Sequence, residues 1–93
     1  MTLDIRNNES SLQYETTIEG HTAYVAYERE DDNVIVFTHT IVPDELAGRG
    51  IAGALAKHVL DDARAQGLRV KPQCAYIASY IRKHPEYEDL IAG

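Results

Sequence analysis

The sequence predicts an α+β domain with a mostly antiparallel sheet, one main helix and one short C-terminal helix. Three strand-like segments rich in Thr, Val, Ile and Tyr follow one another between Leu12 and Val42. An apolar stripe with helical spacing comes next, from Ile51 to about Gln66. A chain of 93 residues has room for one hydrophobic core, so we expect a single domain over residues 1–93.

Turn-forming residues divide the first of these regions into an antiparallel meander. Turns are predicted at Glu19-Gly20 and at Glu30–Asn33. A brief strand is expected before the meander, at Leu3–Arg6. Alternation along the first strand of the meander predicts that one of its faces is buried. The residues that share this face are Leu12, Tyr14, Thr16 and Ile18.

Proline and glycine residues mark the ends of the later elements. Pro43 ends the third strand because it has no amide hydrogen for the ladder, and the acids Asp44-Glu45 suit the start of a helix. Gly67 fits the left-handed position that follows a last helical turn. A short strand at Leu68–Val70 and a second helix at Ala75–Lys83 are predicted after it.

Composition and charge exclude several classes of protein. Hydrophobic residues make up 44% of the chain and charged residues 26%, as in ordinary soluble domains. A net charge of −6 argues against a general nucleic-acid binder, because neutralising phosphates needs a basic surface. The sequence shows no basic leader followed by an apolar core. We therefore expect a cytoplasmic monomer without a nucleic-acid or membrane partner.

The few cysteine and histidine residues indicate neither a disulfide nor a metal site. Cys74 is the single cysteine of the sequence, so no internal disulfide can form. We also expect no metal cofactor, because the histidines are widely spaced and form no ligand motif. The four histidines are His21, His39, His58 and His84.

The charges are distributed unevenly along the chain. Residues 1–46 contain two basic and ten acidic residues, a net charge of −8, whereas residues 47–93 have a net charge of +2. An anionic ligand would therefore bind the second half of the chain. The alternative is that these basic residues only form a solvated helix face.

The densest motif is the glycine-rich run Gly48–Gly53, between the third strand and the main helix. Backbone N–H groups and the helix dipole can hold a phosphate there. The run satisfies the spacing G-x-G-x-x-G, but a dinucleotide site also needs a parallel β-α-β unit and an acidic residue ending the next strand. We expect neither, because a meander precedes the loop and Lys71 ends the next strand. A glycine-rich helix start without a ligand is the alternative.

Four linked segments resemble the GCN5-related N-acetyltransferases, and specifically their short single-domain YjdJ-type branch. The segments are Thr38–Pro43, Gly48–Ala52, Val70–Ile77 and Tyr80–Pro85, and the resemblance covers about residues 34–91. The acetyl-CoA loop of this family is usually written Gln/Arg-x-x-Gly-x-Gly/Ala. Its last two positions match Gly50 and Ala52, whereas Ala47 stands where Gln or Arg is usual.

The resemblance implies a sheet splayed open beside the main helix, with acetyl-CoA in the wedge as cosubstrate. The pyrophosphate would lie on the N–H groups of residues 49–52, and the pantetheine arm would pair with the preceding strand. Arg82, Lys83 and His84 would reach the 3′-phosphate, or would only complement the helix dipole. The expected binding residues are Ile41, Val42, Gly48, Arg49, Gly50, Ile51, Ala52 and Lys83.

Candidate catalytic residues lie in the same segments. Cys74 falls between a strand end and a helix start, where free N–H groups can stabilise a thiolate, and the resemblance implies that it lies near the thioester. A buried hydrophobic role is its alternative. His39 is the candidate base, because its side chain suits proton transfer at neutral pH, and packing is the alternative. Tyr80 is preferred over Tyr76 as the donor to the departing thiolate.

These features together predict an acetyl-CoA-dependent N-acetyltransferase whose acceptor amine is unknown. The acetyl group passes either through Cys74 or directly from acetyl-CoA to the amine. The acceptor side is expected to be exposed, which suits an amine on a protein tail or on a loosely held small molecule. The acidic first half of the chain favours a cationic acceptor. The alternative function is a non-catalytic CoA-binding or protein-interaction module on the same fold.

Overall fold

The computed structural model describes residues 3–92 and confirms the predicted α+β class. Within these residues, five strands form one sheet in the order β1-β2-β3-β4-β5. The strands are β1 (Arg6–Asn8), β2 (Gln13–Ile18), β3 (His21–Asp31), β4 (Val34–Ile41) and β5 (Arg69–Pro72). The helices are α1 (Ile51–Ala65) and α2 (Ala75–Lys83), and short 3-10 turns cover Asp44–Leu46 and Pro85–Leu90.

The sheet is antiparallel except at its last pair of strands. Strands β1 to β4 pair antiparallel in chain order, whereas β5 pairs with β4 in parallel. The expectation that no parallel β-α-β unit surrounds the glycine loop is therefore wrong. Helix α1 returns the chain to the start of β4, so β5 runs in the same direction as β4. A dinucleotide site still lacks its acidic residue, because Lys71 stands near the end of β5.

The hairpin between β2 and β3 forms at the predicted turn. Glu19 and Gly20 both have positive φ, 54° and 80°. Two successive left-handed residues are typical of the two-residue turn whose twist matches that of the flanking strands. The pairs Ile18↔His21 and Thr17↔Thr22 follow directly from this turn.

The core lies between one face of the sheet and the two helices. Tyr14, Val25 and Phe37 are buried on that face, and α2 contributes Ile77 and Ile81. Both helices pack on this face and contact each other. The opposite face has no helix in the part of the chain that the structure describes. The buried residues of the α1 stripe are Ile51, Leu55, Ala56, Val59, Leu60 and Ala63.

Three local predictions differ from the structure. Leu12 is 44% exposed, because its φ of 55° places it in the turn before β2 rather than in the strand. The first strand begins at Arg6, and Leu3 and Ile5 pack against the core instead of forming the expected strand. The acids Asp44-Glu45 belong to a separate 3-10 turn and do not start α1.

Hydrogen bonds connect α1 with the C-terminal 3-10 turn and with the sheet. The Tyr87 hydroxyl donates to Asp61 at 2.6 Å, and Lys57 Nζ donates to the same carboxylate at 2.7 Å. Burial, together with the bond to the carboxylate, raises the pKa of Tyr87 to about 12. The Tyr14 hydroxyl donates to Asp62, and burial again raises the pKa of Tyr14 well above its usual value.

These tyrosines predict a loss of stability in alkali. A tyrosine whose pKa is raised by folding favours the folded state below its unfolded pKa of about 10, and this contribution is lost as the pH rises through the folded value. We expect the free energy of unfolding to fall between about pH 10 and about pH 12. The Tyr87→Phe variant should show a shallower fall in urea denaturation across this range. An equal fall in the variant would contradict the assignment.

Candidate active site

The parallel pair β4 and β5 separates halfway along β4. Its last register pair is Phe37↔Pro72, while β4 continues to Ile41. The Cys74 N–H then donates to the Phe37 carbonyl oxygen at 2.8 Å, as the chain leaves β5 for α2. Residues 38–41 therefore extend beyond the last paired position of β5. Beyond Phe37 the end of β4 therefore faces the start of α2 instead of β5, and we call this junction the wedge.

The glycine loop lies between the end of β4 and α1. Gly48 and Gly50 are exposed and left-handed, with φ of 81° and 76°. A Cβ at either position would meet no atom within 4 Å, so open space faces the loop. The Ala54 N–H makes the first helical bond, to the Gly50 carbonyl at 3.1 Å. The N–H groups of residues 51–53 therefore precede the helical ladder and are available to an anion.

Charge at the start of α1 also suits an anion. The first turn of α1 contains no acidic side chain that would neutralise the helix dipole. Arg49 lies in the loop and pairs with Glu19 of the hairpin at 2.9 Å, with both side chains well exposed. Exposed pairs of this kind contribute little stability, about 0–1 kcal/mol, so a phosphate can replace Glu19 at modest cost. The loop therefore has the backbone donors and the charge that an anionic group requires.

A cavity of about 160 Å³ lies on the hairpin side of the loop. Its walls are mostly apolar, and Arg49 and Gly50 connect it with the loop. The other lining residues are Leu3, Ile18, Ile51 and Ala54. The loop is therefore accessible from the hairpin side.

Cys74 lies at the wedge. It is the residue immediately before α2, and its side chain is 7% exposed. Its Sγ is 3.3 Å from the Thr40 hydroxyl on β4. The structure thus joins a thiol, a helix start and the end of β4 that is paired with β3 but not with β5. No local sequence pattern marks Thr40 as a site residue, and the register pair Val25↔Thr40 places it on the buried face of the sheet.

His39 lies on the other face of the sheet from Cys74. Side chains alternate along a strand, so His39 points away from the face that carries Thr40. It is exposed, and its Nδ1 is 3.1 Å from the Thr38 hydroxyl. The geometry does not bring His39 together with the thiol, and its role as a base stays a prediction.

The two candidate tyrosines of α2 occupy different surroundings. The Tyr80 ring stacks on His84 with a centroid separation of 3.9 Å, and burial raises the pKa of Tyr80. Tyr76 is 40% exposed, and its hydroxyl is 3.6 Å from the position that a Cβ on Gly53 would take. Tyr76 is therefore next to the first turn of α1. The preferred donor Tyr80 stays a prediction, and the geometry adds weight to Tyr76.

Lys83 lies at the opposite end of α2 from Cys74. Nine helical residues span about 13 Å, which separates the basic last turn from the thiol. Arg82 and Lys83 are exposed there, and His84 Nδ1 is 2.9 Å from the Tyr80 carbonyl oxygen. This spacing suits contact with the distal end of a long ligand, and the role of Lys83 in binding a 3′-phosphate stays a prediction.

Neither a metal-binding cluster nor a membrane-spanning helix occurs within residues 3–92. No group of three or more His, Cys, Asp or Glu side chains is placed to hold a metal ion in this range. No helix within it has the length and apolar character needed to cross a membrane.

Comparisons with known proteins find the same architecture elsewhere. Residues 13–90 match the family described as GCN5-related N-acetyl-transferase. Protein NATD1 of Gallus gallus is 31% identical over 85 residues, which cover 89% of this chain and 77% of that protein. Protein NATD1 of Homo sapiens is 38% identical over 63 residues, which cover 68% of this chain and 56% of that protein. The solution structure of a GCN5-like protein from Staphylococcus aureus has a TM-score of 0.75 at 30% identity, covering 98% of this chain and 89% of that one.

Proposed function

We propose that this chain, which belongs to the GCN5-related N-acetyltransferase family, transfers an acetyl group from acetyl-CoA to an amine. The observation that carries the proposal is the wedge beyond Phe37, with the glycine loop at one end and the thiol of Cys74 beside it. The glycine loop suits an anionic pyrophosphate, the wedge suits an extended arm, and the thiol would lie beside the thioester. From the resemblance of its motifs we also propose that the chain belongs to the YjdJ-type branch.

The geometry supports a specific placement of acetyl-CoA. The pyrophosphate would accept hydrogen bonds from N–H groups at the start of α1, with Arg49 released from Glu19. The pantetheine arm would lie along the end of β4, where Ile41 and Val42 supply backbone groups. Ile41 is 44% exposed, which is consistent with a strand end that receives a ligand. The basic last turn of α2, with Lys83, would meet the nucleotide.

In the route through the thiol, the Cys74 sulfur attacks the thioester carbonyl carbon and the carbon–sulfur bond to CoA breaks. CoA leaves as a thiol after taking the proton that Cys74 gives up. The acceptor amine then attacks the acetyl carbon on Cys74, forms the amide and returns a proton to the sulfur. The position of Cys74 at the start of α2, with its Sγ 3.3 Å from the Thr40 hydroxyl, supports this route.

In the direct route the amine attacks acetyl-CoA itself. The amine proton would then pass to a base such as His39 or to solvent, and a tyrosine of α2 would protonate the departing thiolate. Tyr76 is next to the glycine loop, whereas Tyr80 is packed on His84. The two routes differ in whether an acetylated enzyme exists in the absence of an acceptor.

Acidic side chains on the uncovered face of the sheet would attract a cationic acceptor to the chain through their charge. Glu28 is exposed on β3, and its neighbour Tyr27 is buried, so Glu28 points to the face without helices. Glu15 shares that face with its cross-strand partner Arg6, whose guanidinium pairs with Asp4, and the Glu15 carboxylate accepts hydrogen bonds from the Asn8 and Gln13 side chains. A basic peptide or polyamine would complement these charges.

Acetylation of a set of amines tests both the activity and the acceptor class. We expect CoA release with a lysine peptide flanked by arginines, and at least tenfold less with the same lysine flanked by glutamates. Glu28→Gln should raise the KM for the basic peptide several-fold. Glu88→Gln, an exposed acid on the C-terminal 3-10 turn, is the matched control and should leave it unchanged.

The outcomes separate the alternatives. If both peptides are acetylated equally well, the preference for a cationic acceptor is rejected and the acetyltransferase activity is retained. Tight CoA binding without turnover of any amine would instead favour the non-catalytic CoA-binding module.

A further inference from the structure

The geometry points to Thr40 as a positioning residue for the Cys74 sulfur. This inference rests on the proposed function, in which Cys74 accepts the acetyl group. Thr40 Oγ1 is 3.3 Å from Cys74 Sγ, although the two residues are 34 positions apart in sequence. The contact joins β4 to the residue before α2, across the mouth of the wedge.

Strand pairing fixes the side of the sheet on which Thr40 lies. Thr40 pairs with Val25 of β3, and Val25 is fully buried on the helix-covered face. The hydroxyl of Thr40 therefore points into the face where Cys74 lies. A β-branched side chain has few rotamers, so little conformational freedom is lost in holding the oxygen against the sulfur.

The position of Cys74 is fixed independently. Its N–H donates to the Phe37 carbonyl oxygen at 2.8 Å, and its carbonyl oxygen accepts the first bond of α2, from the Ala78 N–H at 3.0 Å. The backbone of Cys74 is thus held by β4 on one side and by α2 on the other. What remains free is the rotation of its side chain, and Thr40 is the polar partner that selects one orientation.

The hydroxyl can serve each state of the sulfur. In the thiol state the S–H donates to Thr40 Oγ1, and after the proton leaves, the Thr40 O–H donates to the thiolate. In the acetylated state the sulfur is a weak acceptor, so this bond favours the free thiolate over the thioester. No bond of Thr40 is made or broken in the transfer, which makes it a positioning residue.

The test compares Thr40→Val, Thr40→Ser and Thr16→Val. Valine keeps the shape of threonine but removes the hydroxyl, whereas serine keeps the hydroxyl. Thr16 is buried on the same face of the sheet, two strands away, and serves as the matched control. The readouts are the alkylation rate of Cys74 by iodoacetamide, without any CoA, and the kcat and KM for acetyl-CoA.

We expect Thr40→Val to slow alkylation about tenfold, the effect of losing a hydrogen bond to a charged group. Its kcat should fall by a similar factor while KM for acetyl-CoA stays within twofold. Thr40→Ser should recover most of both losses, and Thr16→Val should match the wild type. If valine unfolds the chain, Thr40→Ala removes the same hydroxyl and is judged by the same criteria.

Wild-type alkylation in folded Thr40→Val would overturn the inference. So would a loss in Thr40→Ser equal to that in Thr40→Val, because shape rather than the hydroxyl would then matter. If Thr40→Val slows alkylation but the wild-type chain acetylates no amine, the role of Thr40 is retained and the proposed function is rejected. The two failures are therefore distinguishable.

Discussion

Replacing Gly50 with valine is expected to abolish CoA binding, with at least a hundredfold loss of affinity. Gly50 has a φ of 76°, and open space faces the position that its Cβ would take. In the proposed complex that space holds the pyrophosphate. A branched side chain there would keep the phosphates away from the N–H groups of α1. Isothermal calorimetry with CoA measures the loss directly.

A second glycine provides the matched control for strain. Gly67 follows α1 at its other end, with a φ of 72°, and a Cβ added there would also meet no atom within 4 Å. Valine at either position costs about 1–2 kcal/mol of backbone strain, so both variants should lose similar stability. Only Gly50→Val should lose its affinity for CoA. Undiminished affinity in Gly50→Val, or an equal loss in Gly67→Val, would show that the binding site is wrongly placed.

The elements that sequence predicts well are those governed by local periodicity and backbone chemistry. The α1 stripe was predicted to begin at Ile51, where the helix begins, because apolar spacing and glycine conformation are both local signals. Gly67 is left-handed as expected, since only glycine adopts that conformation without strain. The second helix has its predicted bounds, Ala75–Lys83, for the same reason.

The parallel pair of strands was not predicted, because it depends on where a helix returns the chain. The meander suggested only antiparallel neighbours, yet β5 lies beside β4 and separates from it after Phe37. A four-residue strand has too few side chains for its pattern to show a partner or a direction. The splayed sheet was expected from the resemblance of four motifs, and periodicity alone did not indicate it.

The contacts of the site join residues that are distant in sequence. The pair Arg49–Glu19 links the glycine loop with a hairpin 30 residues earlier, and Thr40 meets Cys74 across the wedge. A single sequence carries no local signal for such pairs, because each partner is ordinary in its own segment. Likewise, the sequence does not show that Tyr76 lies next to Gly53 of α1 whereas Tyr80 stacks on His84. Sequence located the segments of the site, and packing decides which side chains meet.

Cys74 gives the sharpest test of mechanism, because the two routes predict opposite results for the same protein. If the thiol accepts the acetyl group, the wild-type chain should gain one acetyl group from acetyl-CoA without an acceptor, and Cys74→Ser should lose both the adduct and turnover. We expect this result, since Cys74 lies at the start of α2, where free N–H groups can stabilise a thiolate, beside the end of β4 that is not paired with β5. Intact-mass analysis with acetyl-CoA alone detects the adduct.

A matched variant separates chemistry from packing in this experiment. Cys74→Ala removes the nucleophile and leaves a small apolar side chain, whereas Cys74→Ser keeps a hydroxyl near Thr40. Both variants should lose at least a thousandfold in kcat and keep wild-type affinity for CoA, because the glycine loop is intact. In the direct route no adduct forms, and Cys74→Ala would lose less than about tenfold through packing alone. A wild-type chain without an adduct, together with near-normal turnover in Cys74→Ala, would leave Cys74 as a buried hydrophobic residue and assign the transfer to direct attack.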